Sequence, residues 1–98
     1  MSKNVYVFAE QRDGNIQKVA YELIGKAREL ADALGQEVVA VVLGDGIQAA
    51  AAELFKFGAD QVIAVDAPVL GEYSTEPYAK AMNAIIKAKE PEIVIYGA

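Results

Sequence analysis

Apolar residues fall into runs whose spacing switches between two and about three and a half, and each switch marks an element boundary. Residues 4–9 (NVYVFA) are short, β-branched and aromatic, and the polar stretch 10–15 (EQRDGN) holds turn residues, which predicts a first strand and its exit loop. From Ile16 the spacing becomes three and four. Ile16, Val19, Ala20, Leu23, Ile24, Ala27, Leu30, Ala31 and Leu34 line one helix face, with Asn15 as the N-cap and Gly35 as the C-terminal stop. Residues 37–43 (EVVAVVL) are apolar on both alternating faces, the mark of a strand covered above and below. Gly44-Asp45-Gly46 closes that strand. A second helix over 47–57 turns Ile47, Ala50, Ala51, Leu54 and Phe55 inward, with Gly58 beyond its end.

Residues 61–66 (QVIAVD) predict a third strand, and 67–73 a loop carrying Pro68 and Gly71. Ser74 or Thr75 then caps a third helix, where Pro77 is tolerated because first-turn N–H groups lack an intrahelical partner. Tyr78, Ala81, Met82, Ile85 and Ile86 form its inner face, Lys87 and Lys89 suit the negative end of its dipole, and Pro91 precedes a fourth strand over 92–96 (EIVIY). Strand and helix alternate three times with short connections, so the expected fold is α/β: a three-layer parallel sheet with helices on both faces. The fourth strand is as apolar as the others but has no helix after it. The sequence therefore reads as one domain truncated after the fourth strand.

Composition narrows the chemistry. The 98 residues carry 9 Lys+Arg against 14 Asp+Glu, a net charge of −5, with no clustered cations to replace phosphate counterions, which disfavours nucleic acid and anionic membranes. No apolar run approaches the roughly 20 residues of a membrane span, and the start has no secretory core, so a cytoplasmic protein is expected. With no Cys and no His, thiolate nucleophiles, Ser-His pairs and the usual N/S zinc sites are excluded. Ser2, Ser74 and Thr75 are the only hydroxyl residues of their kind. No catalytic residue and no metal site are assigned.

Gly44-Asp45-Gly46-Ile47-Gln48-Ala49 fits the G-x-G-x-x-[GA] dinucleotide turn after a strand, and Asp66 follows Gly46 at the distance where such folds place an acid on a ribose. The stretch from Val41 to Asp66 resembles the nicotinamide-binding segment of alcohol dehydrogenases. Against this, Asp45 puts a carboxylate in the phosphate loop, Ala49 replaces the third glycine, and the turn follows the second strand. The plain alternative is a tight βα turn beside a solvated acid. Asp66 and Glu10 at strand ends suggest a phosphoacceptor pocket more weakly still, since Gln11 stands where a neighbouring acid is needed. Asp13, Glu29, Asp32, Glu53 and Glu90 read as solvated charges, Tyr6, Phe8, Phe55, Phe57, Tyr78 and Tyr96 as core, and Tyr73 as an exposed contact. No Gly-Lys-Ser/Thr phosphate loop occurs.

Several segments in order, NVYVFAE with QRDGNIQKVAYEL, GKARELADALGQEVVAVVLG, and FGADQVIAVDAPVLGEYSTEPYAKAMNAIIKAKEPEIVIYGA, resemble the N-terminal domain of the electron transfer flavoprotein alpha subunit over essentially the whole chain. The part from Gly58 to Ala98 is the most specific. The resemblance implies an adenine-nucleotide alpha-hydrolase-like (Rossmann-like) sheet of strand order 3-2-1-4, serving as scaffold and beta-subunit contact in a bacterial heterodimeric electron carrier. It implies FAD held mainly by a C-terminal domain absent here, and flavoprotein dehydrogenases such as acyl-CoA dehydrogenases as donors; some members bifurcate electrons. In that strand order the ligand crevice lies between the first and fourth strands, so Ala9, Glu10, Gly97 and Ala98 become the candidate rim. The alternatives left open are a nicotinamide-dependent oxidoreductase using Gly44, Gly46 and Asp66, and a stand-alone adenine-nucleotide module.

Overall fold

A computed structural model describes residues 4–12, 15–67, 75–89, 91 and 93–95. Among the described residues the elements are, in chain order, β1 (Val5–Phe8), β2 (Gln11–Arg12), β3 (Asn15–Ile16), α1 (Lys18–Leu34), β4 (Val38–Gly44), α2 (Gln48–Lys56), β5 (Gln61–Asp66), α3 (Thr75–Lys89) and β6 (Ile93–Ile95). Four strands form one parallel sheet in the order β5-β4-β1-β6. Val5 pairs with Val38 on one side and Ile93 on the other, so β1 is central and the chain direction across the sheet reverses between β1 and β6.

Alternation along the strands divides the interior into two apolar layers. Val5, Val7, Val38, Ala40 and Val42 meet Ala20, Ile24, Ala27 and Ala31 of α1 and Ala50 and Leu54 of α2. Tyr6, Val39, Val41 and Leu43 point the other way and meet Met82 of α3. β4 is buried over its whole length, which explains why its sequence is apolar at every position. Small side chains at Ala20, Ala27 and Ala31 bring α1 close to the sheet.

The segment expected to be a plain exit loop is instead an antiparallel hairpin: Gln11 pairs with Ile16 and Arg12 with Asn15. Asp13-Gly14, the pair between them in sequence, is a strong two-residue hairpin signal. The hairpin also displaces the helix start. Asn15 lies in β3, and Gln17, in extended backbone and without a side-chain cap, is the residue before α1. At the other end Gly35 stops the helix as expected: its φ of 68° is left-handed, and the Gln36 N–H reaches back to the Ala31 carbonyl at 2.8 Å.

Four residues expected inside lie outside. Leu30 and Leu34 are 42% and 49% exposed, and Phe55 and Phe57 are 53% and 49% exposed. The helix period is right, but each helix has a flank wider than the sheet below it covers. Phe57 lies against Tyr21, ring centroids 4.0 Å apart. Tyr73, Ser74 and Tyr96 lie outside the described residues, and the Tyr78 side chain is likewise not described. Gly25, exposed in the middle of α1, has open space where a Cβ would stand. Gly25→Ala is therefore expected to raise stability by about 0.5–1 kcal/mol in urea unfolding, by removing backbone freedom from the unfolded chain.

Candidate functional site

In a parallel sheet with this order, ligands bind at the carboxyl ends of the strands. Three features define that edge here, and each is engaged with the protein itself. The hairpin lies over the end of β4, where Gln11 Nε2 donates to the Leu43 carbonyl at 3.0 Å. Gly44 makes this possible. A Cβ there would run into the Gln11 amide and stand 2.6 Å from Ile47 Cγ2.

The second feature is the turn into α2. Asp66, opposite Gly44 in the β4–β5 register, accepts the Gly46 N–H on Oδ1 at 2.8 Å and the Ile47 N–H on Oδ2 at 3.3 Å. The Ala67 N–H donates to the Gly44 carbonyl at 2.9 Å and fixes the end of β5 beside the turn. α2 starts at Gln48 with no side-chain cap from Ile47, and the Asp66 carboxylate holds the two N–H groups just ahead of its first turn, those of Gly46 and Ile47. The two residues 20 apart, Gly46 and Asp66, are thus joined directly by a hydrogen bond. Gly46 itself is left-handed, φ 72°, which explains the glycine by backbone conformation.

Third, at the β1–β6 crevice only the β1 side is described. Ala9 is buried and its N–H donates to the Val41 carbonyl at 2.8 Å; the Glu10 carbonyl accepts the Gln17 N–H at 2.9 Å. Gly97 and Ala98 lie outside the described residues.

The most developed polar cluster is at the opposite, amino edge of the sheet. Arg28 on α1 donates through Nη1 to Asp60 Oδ2 at 2.6 Å and to the Gly58 carbonyl at 3.2 Å, and through Nε to Asp32 Oδ1 at 3.1 Å. Asp60 Oδ2 also accepts the Val38 N–H at 2.9 Å. One cation thus ties α1, the turn after α2 and the start of β4 together. Asp32, a solvated charge by sequence, belongs to this cluster, and no sequence motif marks Arg28 or Asp60. The visible signal was the four-residue spacing of Arg28 and Asp32 on one helix.

Arg28 chiefly, and then the Val38 N–H, hold the Asp60 carboxyl below its ordinary pKa. A carboxyl lowered in the folded state stabilises that state above its unfolded pKa and loses the contribution as pH falls through the folded value. Asp60 is half-exposed, so water damps the effect. Asp60→Asn keeps an acceptor for Val38, and its unfolding free energy is expected to fall less steeply than that of the parent as pH drops below about 5. Chemical denaturation at stepped pH measures the difference.

Among the described residues there is no group of three or more His, Cys, Asp and Glu placed to hold a metal, and no helix long and apolar enough to cross a membrane. At the described carboxyl edge, Gln11, Asp66 and the Ala67 N–H are bonded within the domain itself.

Comparison with known proteins matches the electron transfer flavoprotein domain to residues 5–98. The chain belongs to that family. Among relatives of this electron transfer flavoprotein domain, the electron transfer flavoprotein subunit alpha of Thermoanaerobacterium thermosaccharolyticum is 46% identical over 98% of this chain and 29% of its own length. The subunit alpha of Clostridium acetobutylicum matches at the same identity and coverage. The acryloyl-CoA reductase electron transfer subunit beta of Anaerotignum propionicum is 38% identical over 98% of this chain and 26% of its own length. The chain thus spans less than a third of the length of these relatives.

Proposed function

We propose that residues 1–98 form the N-terminal α/β domain of the alpha subunit of a cytoplasmic, heterodimeric flavin electron carrier. The domain acts as scaffold and contact surface for a beta subunit and is not itself an enzyme. The carrier takes electrons from flavoprotein dehydrogenases of the acyl-CoA dehydrogenase kind, and its FAD is held mainly on polypeptide outside this span. The fold is assigned to the adenine-nucleotide alpha-hydrolase-like group of Rossmann-like sheets, and Ala9, Glu10, Gly97 and Ala98 to the rim of the crevice beside β1.

The observation that carries this reading is the family match along residues 5–98, together with relatives named as electron transfer subunits. Local chemistry supports it. Asp66 is held by the Gly46 and Ile47 N–H groups, a bond within the fold that gives the Gly44–Gly46 turn a structural role.

Titration calorimetry of the 98-residue chain with FAD, NADH and AMP tests it. No binding is expected from any of the three. Retention of yellow FAD by the isolated chain overturns the scaffold role. NADH binding that is lost in Asp66→Ala replaces it with the dehydrogenase reading, and AMP binding replaces it with a nucleotide module.

A further inference from the structure

The two flanks of α1 differ in what lies beside them. Arg28, on one flank, reaches the turn after α2 at Gly58 and Asp60. Leu23, Leu30 and Leu34 recur at seven and four residues along the other flank, across the buried row of Ala20, Ile24, Ala27 and Ala31. That second flank therefore faces away from α2, toward β6. Ile93 and Ile95 of β6 point to the α1 side of the sheet, where they pack at the margin of the same core. The result is a trough with an isoleucine floor and a leucine wall. Its floor is only half-buried, and Leu30 and Leu34 are 42% and 49% exposed.

Handedness decides what can fill this trough. α1 lies on one face of the sheet as the chain steps from β1 to β4. α3 lies on the other as it steps back from β5 to β6. A right-handed connection continuing outward from β6 stays on the α3 face. A helix directly following β6 therefore cannot cover Ile93, Ile95, Leu30 and Leu34. The relatives carry about 70% of their length outside the matched region, and a leucine-isoleucine trough of this kind is the usual seat of an apolar helix stripe.

We infer that the trough is filled by an amphipathic helix from a later part of the same polypeptide, returning to the α1 face after the sheet has been completed on the far side of β6. This rests on the reading of the chain as one domain of a longer alpha subunit. The helix presents aliphatic side chains to Leu30, Leu34, Ile93 and Ile95, and docking it buries apolar surface that the domain otherwise leaves in water.

The test uses the gene expressed at its native length, with a photo-crosslinking benzoylphenylalanine at position 30 or 34 and peptide mapping by mass spectrometry. Cross-links to the same polypeptide beyond residue 98 are expected. Cross-links to a separate subunit, to a second copy, or none at all overturn the inference and leave the domain reading standing. A native polypeptide with no residues beyond 98 overturns the domain reading itself. In parallel, Leu30→Glu with Leu34→Glu is expected to lower the melting temperature of the native-length protein by roughly 5 °C or more. Ala33→Glu, on the solvent side of the same helix, leaves it unchanged. Equal melting temperatures for the two variants overturn the inference as well.

Discussion

Leu54→Ala is expected to lower the unfolding free energy by about 2–5 kcal/mol, the largest effect of any single truncation considered. α2 spans only nine residues, below the length at which an isolated helix persists in water, so its attachment depends on what it buries. It buries little: among its own residues only Ala50 and Leu54 are inside, with Ile47 just ahead of its first turn. Leu54 is fully buried against the layer that α1 and β4 share, and alanine would leave a cavity the rigid β4 cannot close. For a domain of this size each kcal/mol moves the melting temperature by about 4–8 °C, so thermal unfolding resolves the loss easily. Phe55→Ala, next in sequence but 53% exposed, is the control, expected within about 0.5 kcal/mol of the parent. Equal losses at 54 and 55 would mean that α2 is rotated from the orientation described.

Gly44→Ala is expected to be the next most damaging, at about 1–3 kcal/mol, for the opposite reason: an added atom where none fits. The new methyl meets Ile47 Cγ2 and the Gln11 amide, and both belong to elements that close the carboxyl edge of the sheet. Backbone strain is not the cause, because Gly44 is not among the left-handed glycines. Relief requires the hairpin to lift and the bond from Gln11 to the Leu43 carbonyl to break. A double-mutant cycle with Gln11→Ala isolates this: part of the Gly44→Ala loss should vanish when the amide is gone, with the remainder due to Ile47. Strict additivity of the two substitutions would show that the hairpin does not rest on Gly44.

Both sites show where local pattern suffices and where it does not. Leu54 is legible as core because helical spacing from Ile47 through Ala50 places it inward. Phe55 obeys the same apolar rule and fails, because burial on a helix flank depends on how far the neighbouring sheet extends. Gly44 was read as part of a phosphate turn. Its demand for glycine comes from Ile47, three residues on, and from Gln11, 33 positions earlier in the chain, which the β2–β3 hairpin folds over it.

Asp66 is the sharpest case. Its distance from Gly46 fits a ribose-binding acid, and no property of the sequence separates that role from capping. What the structure adds is register: β5 pairs with β4 so that Asp66 stands opposite Gly44 and bonds the N–H groups of Gly46 and Ile47. Arg28 and Asp60 are joined in the same way, across 32 residues.

The amino-acid sequence by itself determined the alternation of strands and helices, the parallel three-layer arrangement and membership of the electron transfer flavoprotein domain family. These follow from periodicity and composition, which act over a few turns of chain, and from a likeness spread over the whole length. Tertiary structure alone decided which carboxylate holds the turn into α2, which cation clamps α1, and which apolar residues remain uncovered. Those outcomes depend on which strands become neighbours and in what register, and residues 20 to 33 apart carry no local signal of the neighbours they will acquire.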